Sequence, residues 1–372
     1  WRSCDCLSFV KGIWGESMRK YMNKLVLTGA LLLSLLIGGC GNGGVQEETA
    51  IRKEPYEKTE FLMGTYVTVR VYDEGKEAVL EEAFAHVEEL ADKITVNEPG
   101  SEIDAINAVA GTEAVELSED IYPLVRSAWD YSKASDGNFD LSIGPITELW
   151  HIGFEDARKP EQSEIDAALA LVDYERVVLD DAARTVQLAD AAMRLDLGAI
   201  AKGYITDEVK DLLAENGVTT AIIDLGGNVY VMGGSPLREG ESWNVGIQDP
   251  MAARGETIGK TKQKNRSIVT SGIYERYIEV EGVSYHHLMD PETGYPFDND
   301  IAGVSILSDK SIDGDALSTL VFGLGREAGL AYVNERDDIE AVFVTKDKKV
   351  YVSDGLIDNF ELTNDDYVWE NE

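Results

Sequence analysis

Two oxygen-bearing side chains stand four residues apart in the segment DGDALSTLVFGLG, residues 313–325. They are Asp315 and Thr319, and this spacing places them on one face of a predicted helix. A carboxylate beside a hydroxyl offers only oxygen ligands, which suit a hard cation such as Mg²⁺. The same pattern also fits a helix that begins with a capping acid and packs its threonine, so the segment alone leaves both interpretations open.

The segment LDLGAIAKGY, residues 195–204, leads into another predicted helix and is almost free of large polar side chains. Asp196 is its only acid and Lys202 its only cation. The small residues between and after them leave the backbone uncovered, which indicates that some partner comes unusually close to the chain.

Two histidines lie at the end of a predicted strand in SYHHLMDPETGYPFD, residues 284–298. Successive strand residues face opposite sides, so only one of His286 and His287 can face a given site. A tight turn follows at Asp290 and Pro291. The segment by itself also fits a structural turn with an incidental histidine.

A glycine-punctuated loop, DGNFDLSIGPITELW at residues 136–150, offers Phe139 for stacking on an aromatic ligand. Core packing after a helix end is the other interpretation. The chain lacks the glycine-rich signatures of dinucleotide-binding and P-loop proteins and the nucleophile elbow of hydrolases.

These segments must be held by a mixture of helices and strands that do not alternate strictly. Residues 65–72 alternate like a strand, residues 76–94 carry a helical apolar stripe, and strands dominate after residue 219. No linker or repeat interrupts the chain after residue 60. The pattern predicts the α+β class and one large domain over residues 61–372.

The N-terminal region has the pattern of a targeting segment. Residues 1–17 precede the first methionine and are interpreted as upstream sequence, and residues 18–39 form a basic region followed by a short apolar run. The run ends in IGGC, which resembles the lipobox of bacterial lipoproteins and predicts a lipidated Cys40. Residues 40–60 are predicted to be a polar tether, so the body is expected to be lipid-anchored on the extracytoplasmic face of the cell membrane.

The composition limits the partners further. Of the three cysteines, none lies after Cys40, which excludes a disulfide framework and a cysteine nucleophile in the body. The net charge of −36 excludes nucleic acid as a partner. A phosphate ligand would need a metal ion or a cluster of N–H groups to overcome the same repulsion.

Seven segments together resemble the ApbE family, the FAD:protein FMN transferases, in the same order along the chain. They are MGTYVTV, DGNFDLSIGP, LDLGAIAKGY, IIDLGGNVY, IVTSGIYERY, HHLMDPETGYP and DALSTLVFGLG, and the likeness covers roughly residues 60–345. The resemblance implies a single large mixed α/β domain of the ApbE type. It also implies that the chain transfers the FMN part of FAD to a threonine hydroxyl of a partner protein and releases AMP.

The resemblance further implies a role for each candidate residue. Contacts with FAD are expected from Met63, Asn97, Asn138, Phe139, Asp140, Asp196 and Lys202, and Mg²⁺ ligands from the Ala199 carbonyl, Asp315 and Thr319. His287 and Asp290 are the alternatives for a general base. Such sites bring the diphosphate and the metal close to bare backbone at a helix start, where free N–H groups favour negative charge.

One residue departs from the family pattern, because Asn97 stands where many members have an aromatic ring over the adenine. An amide oxygen there could bind a second metal, which would suit hydrolysis. The alternatives are therefore an Mg²⁺-dependent FAD pyrophosphatase and a non-catalytic flavin-binding lipoprotein. This chain has no convincing acceptor motif of the family's type, Ser/Thr-rich after Asp-Gly, so self-modification is not expected. The resemblance implies that the acceptor is an electron-transfer lipoprotein or a membrane redox subunit.

Overall fold

The computed structural model describes residues 50–370, which belong to one compact unit. The predicted upstream segment, the signal peptide, the lipidated Cys40 and residues 41–49 of the tether lie outside the described residues. Between residues 50 and 370, none of the helices is both long and apolar enough to traverse a bilayer.

Four sheets are formed, the largest of nine strands in the order β1-β2-β6-β7-β10-β13-β14-β15-β17. Its neighbours are antiparallel except β15 and β17. The smaller sheets are β16-β9-β8, β3-β5-β4 and β11-β12. The strands are β1 Ile51–Leu62, β2 Thr65–Asp73, β3 Val115–Glu116, β4 Val177–Asp180, β5 Thr185–Leu188, β6 Ala221–Leu225, β7 Asn228–Met232, β8 Trp243–Gln248, β9 Thr257–Gln263, β10 Arg266–Gly272, β11 Tyr277–Val280, β12 Val283–His286, β13 Ile301–Ser308, β14 Ile339–Thr345, β15 Lys349–Val352, β16 Phe360–Leu362 and β17 Val368–Trp369.

Most of the helices pack in the main core on one face of the large sheet, and α4 and α5 form a smaller cluster of their own. Alternate residues of β2, among them Val67 and Val69, are fully buried against apolar side chains of α1 such as Phe84. The opposite face packs on β8, β9 and β16 through Ile247 and Ile258. The helices are α1 Val79–Ile94, α2 Glu102–Ala108, α3 Tyr122–Ala134, α4 Gly144–Trp150, α5 Gln162–Leu169, α6 Ala201–Glu215, α7 Ser311–Leu324 and α8 Arg326–Asn334.

Helix α7 lies in the middle of this arrangement, in contact with α6, α8, β10 and β13. Most of its residues are buried, including the polar Asp315 and Ser318. A helix surrounded on nearly all sides shows little amphipathic pattern, and any polar group in it must find a partner. The mixed architecture confirms the predicted α+β class.

The prediction that the polar tether extends to residue 60 is wrong, because residues 51–60 belong to β1. This edge strand pairs with β2 from Ile51 opposite Asp73 to Leu62 opposite Thr65. None of its residues is fully buried, and its charges pair along the surface, as Lys58 does with Glu81 at 2.7 Å. An edge strand guarded by alternating charges has no apolar period of two, which is why its sequence resembles a tether.

Candidate active site

A cavity of about 620 Å³ lies where α4, the chain before α6, and α7 converge. Its volume falls in the range of roughly 300–1,000 Å³ that is usual for small-molecule sites. The fold brings together at its walls ten of the twelve predicted site residues, from separate parts of the chain. They are Asn97, Asn138, Phe139, Asp140, Asp196, Ala199, Lys202, His287, Asp315 and Thr319.

Gly203 explains why α6 and α7 can approach so closely. A Cβ atom at this position would lie 2.4 Å from the Ser311 carbonyl oxygen and 2.7 Å from the Asp315 Cβ. Both distances are far inside van der Waals contact, so the backbone of α6 touches α7 directly. The close approach that the small residues of 195–204 predicted is therefore, at Gly203, an approach by the protein's own helix.

The same contact leaves one backbone carbonyl free. In a regular helix the Gly203 amide would donate to the carbonyl of Ala199, four residues earlier. It donates instead to Asp315 Oδ2 at 2.9 Å. Among the described residues, the Ala199 carbonyl therefore has no hydrogen-bond partner, although Ala199 lines the cavity.

Lys202 and Thr319 complete this part of the wall. The Lys202 ammonium lies 3.5 Å from Asp315 Oδ1 and 3.4 Å from the Gly198 carbonyl oxygen. Thr319 follows Asp315 by one turn of α7, and both line the cavity as their spacing predicted. Asp315 is buried with only 4% of its surface exposed, so its charge depends on these few neighbours.

Asp196 is held at the entrance to α6 by two hydrogen bonds. Thr147 of α4 donates to its Oδ2 at 2.6 Å, and the Gly198 amide donates to its Oδ1 at 2.7 Å. The second bond closes a short turn that turns the chain into α6. Asp196 thus links α4 to the chain that carries Ala199.

The loop before α4 contributes three residues of different character. The Asn138 amide donates to the Leu320 carbonyl at 3.0 Å, and Phe139 is buried edge-on against Tyr131. The Asp140 carboxylate accepts from the Ser142 amide and hydroxyl and from the Tyr174 amide. Burial raises the pKa of Asp140, and these bonds oppose the shift. Asp140 is therefore mainly a brace for the loop.

The two histidines separate as strand alternation predicted. His286 is buried, bonds to the Phe297 carbonyl at 3.0 Å and packs edge-on against Phe322. His287 is half-buried and lines the cavity, and its Nδ1 donates to the Arg276 carbonyl at 3.3 Å. That bond leaves the His287 Nε2 lone pair available as an acceptor. Burial, with the positive charges of Arg276 and Lys202, lowers the pKa of His287 to about 3.

Two predicted residues do not line the cavity. Met63 occupies the two-residue turn between β1 and β2, where it has a positive φ of 53° and packs on the main core. Asp290 accepts from the Glu292 amide and the Thr293 hydroxyl, both at 2.8 Å, so its carboxylate closes the turn. The structure therefore places His287, and not Asp290, where it could act as a base. Asn97 lines the cavity but is exposed.

The described residues contain no group of three or more His, Cys, Asp or Glu side chains that could hold a metal ion. A site formed by one carboxylate, one carbonyl and one hydroxyl is nevertheless a set that Mg²⁺ accepts when substrate phosphates supply further oxygens. The free Ala199 carbonyl beside the buried Asp315 fits such a site, since an unpaired carbonyl otherwise needs a partner.

Comparisons with known proteins identify the family to which the chain belongs. The family model described as "ApbE family" matches residues 63–343. The chain belongs to the ApbE family. It is 40% identical over 298 residues to the FAD:protein FMN transferase of Klebsiella pneumoniae, covering 80% of this chain and 92% of that protein. It is 36% identical to the FAD:protein FMN transferase of Treponema pallidum, covering 89% and 95% of the two chains.

A solved ApbE protein has the same fold. The crystal structure of the ApbE protein of Thermotoga maritima superposes with a TM-score of 0.73 at 30% identity, covering 82% of this chain and 98% of that one. All twelve predicted site residues fall inside the segment that matches the ApbE family model. Their individual roles stay predictions.

Other residues line the cavity although sequence reasoning missed them, among them Thr147, His151 and Arg276. His151 has a positive φ of 48°, stacks on Phe154 at 4.0 Å and bonds to Asp156 at 2.6 Å. Thr147 belongs to the segment 136–150 interpreted as a loop, which hid its position on α4, and His151 is the first residue after that helix. Arg276 lies in the motif IVTSGIYERY, but nothing in that motif singles out its side chain.

Proposed function

We propose that this protein is an Mg²⁺-dependent FAD:protein FMN transferase, which moves FMN from FAD to a threonine hydroxyl of an extracytoplasmic partner protein and releases AMP. The names of its relatives support the transfer of FMN from FAD. The observation that carries the proposal is the Asp315–Gly203 hydrogen bond, which frees the Ala199 carbonyl beside a buried carboxylate. A flavin carrier would need neither feature, because capture requires no activation of a phosphate.

The metal would be held by Asp315, Thr319 and the Ala199 carbonyl. When bound there, Mg²⁺ neutralises phosphate charge and stabilises the AMP that leaves. This matters in a chain of net charge −36, which by itself repels a diphosphate. Lys202 adds a fixed positive charge in the same wall.

The residues of the chain would mainly position the reactants. Phosphoryl transfer of this kind needs alignment and charge neutralisation more than covalent help. Asn138, Phe139, Asp196 and Asn97 form the remaining walls that would bind FAD. Met63 and Asp140 act on the site through the turn and the loop that they brace.

His287 is the base that the geometry favours. Its Nε2 lone pair is free because its Nδ1 donates to the Arg276 carbonyl, so it can accept the proton of the incoming hydroxyl. Its low pKa keeps it neutral at physiological pH. A nearby diphosphate, being negative, would raise that pKa towards the range in which a base is effective.

The setting of the reaction follows from the N-terminal pattern. Lipid on Cys40 would hold the enzyme at the extracytoplasmic face of the cell membrane, close to acceptors such as an electron-transfer lipoprotein or a membrane redox subunit. Such partners are themselves confined to that surface, which raises the effective concentration of enzyme and acceptor.

One incubation tests the proposal against its alternatives. The protein is mixed with FAD, Mg²⁺ and a carrier protein bearing a Thr-rich segment after Asp-Gly, with a Thr→Val carrier as the control. Transfer gives AMP and a carrier whose mass increases by one FMN, and the control carrier stays unlabelled. AMP with free FMN and no label would establish the pyrophosphatase, and no AMP at all would leave only the flavin carrier.

A further inference from the structure

Arg276 is a cation in the cavity wall that no carboxylate neutralises. The other two cavity-lining cations are paired, Arg194 with Glu148 at 2.9 Å and Lys202 with Asp315 at 3.5 Å. Within the described part of the chain, no carboxylate oxygen lies within 4 Å of the Arg276 guanidinium.

The Arg276 side chain packs against two glycines, and only at Gly153 would a Cβ atom crowd it. A Cβ atom at Gly153 would lie 3.0 Å from the Arg276 Cδ, and one at Gly64 would lie 3.7 Å from its Nη2. Both glycines have positive φ, 105° and 72°, and belong to the loop after α4 and to the β1–β2 turn. The side chain therefore packs between the loop after α4 and the β1–β2 turn, and it lines the cavity.

Arg276 is also hydrogen-bonded to His287 and lines the same cavity as Lys202. Its carbonyl accepts from the His287 amide at 3.1 Å as well as from His287 Nδ1. Besides burial, the positive charges of Arg276 and Lys202 both lower the pKa of His287, so both cations act on the ring that could serve as base. Positive charge in this cluster would face any anion that binds next to His287.

We propose that the Arg276 guanidinium binds the diphosphate of FAD and neutralises the charge that accumulates on it during transfer. The inference rests on the proposed function. In the transfer, a bond forms between the acceptor oxygen and the FMN phosphorus, and the bond from that phosphorus to the AMP oxygen breaks. The hydroxyl proton passes to His287, and AMP leaves with the electron pair. An unpaired guanidinium is suited to this task, since its planar fork matches two phosphate oxygens.

The test compares Arg276→Ala, Arg276→Lys and the control Arg254→Ala in the full chain. Arg254 is another exposed arginine that, in the described residues, has no ion pair, and it lies outside the cavity. Arg276→Ala should raise the Kd for FAD about tenfold and lower kcat for AMP release about 100-fold. The Kd and kcat of Arg276→Lys should fall between those of Arg276→Ala and those of the wild type, and the values of Arg254→Ala should match the wild type. Guanidinium ion at millimolar concentration should restore part of the lost rate in Arg276→Ala and should not accelerate the other proteins.

Each outcome separates the inference from the proposed function. If the wild type releases AMP and Arg276→Ala keeps its kcat and Kd within threefold, the role of Arg276 is refuted. If Arg276→Ala is unfolded in a thermal melt, Arg276→Lys decides by the same two constants. If the wild type itself releases no AMP, the proposed function fails, and unchanged FAD affinity in Arg276→Ala then refutes the phosphate contact as well.

Discussion

Gly203→Ala tests whether the contact of α6 with α7 builds the site. By helix propensity alone, alanine should stabilise the helix by about 1 kcal/mol relative to glycine. The structure predicts the opposite sign, because the new Cβ would lie 2.4 Å from the Ser311 carbonyl oxygen, and rigid backbone cannot give way as a side chain can. Overpacking of this kind costs about 1–3 kcal/mol.

The expected loss of stability in Gly203→Ala also includes the hydrogen bond from the Gly203 amide to Asp315. Separation of the helices would weaken a bond to a charged acceptor, which is worth about 1.5–3 kcal/mol. After subtraction of the propensity gain, the net loss is about 1.5–5 kcal/mol in the free energy of unfolding. AMP release should fall at the same time, since Asp315 and the Ala199 carbonyl would no longer lie together.

Urea unfolding at pH 7 and AMP release measure the two effects. Glu215→Ala in the exposed last turn of α6 is the matched control, and it should change stability by less than about 0.5 kcal/mol. A Gly203→Ala protein that is more stable than the wild type and equally active would refute the reasoning, because propensity would then outweigh the contact.

Three further substitutions test the rest of the site and the fold. Asp315→Ala should abolish AMP release, and unchanged AMP release would contradict the metal assignment. The variant should stay folded, because the freed Gly203 amide can donate to the Ala199 carbonyl, and circular dichroism checks this. His287→Gln should lower AMP release by about 10²–10⁴-fold with FAD affinity retained, and an equal loss in Asp290→Asn would contradict the choice of base. Burial lowers the pKa of His286 from 6.5 to about 4. Between these pH values the unfolded chain therefore binds a proton that the folded chain does not, and stability falls as the pH drops. His286→Gln should remove up to about 1.4 kcal/mol of that loss per pH unit, which urea unfolding at pH 7 and pH 5 would measure. If the free energy of unfolding changes equally with pH in the variant and the wild type, His286 does not titrate in this way.

The sequence predicted best what local spacing controls. The four-residue interval between Asp315 and Thr319 and the alternation of His286 and His287 each translate directly into a shared face or an opposite one. Both arrangements appear in the structure. The buried strands and the amphipathic α1 likewise follow from apolar periodicity.

What the sequence could not predict depends on tertiary neighbours. Nothing near Gly203 reveals that its amide bonds to a carboxylate on another helix, and nothing near Asp290 reveals that its own turn uses both of its oxygens. β1 was missed because an edge strand buries no residue, and α4 because glycine and proline at its start are typical of loops. Arg194 pairs with Glu148 and Lys202 with Asp315, which leaves Arg276 as the unpaired arginine among the described residues of the cavity wall. This distribution of ion pairs is equally a property of the folded chain.

The Gly203–Asp315 hydrogen bond also constrains when the protein can become active. Its two residues are 112 positions apart, so it can form only after a long loop has closed and most of the intervening strands have paired. A nascent chain that has emerged only as far as α6 would keep an ordinary helical turn, with the Ala199 carbonyl occupied. Folding itself would then be the step that switches the enzyme on, and an incomplete or misfolded chain would leave the cell's flavin nucleotides intact.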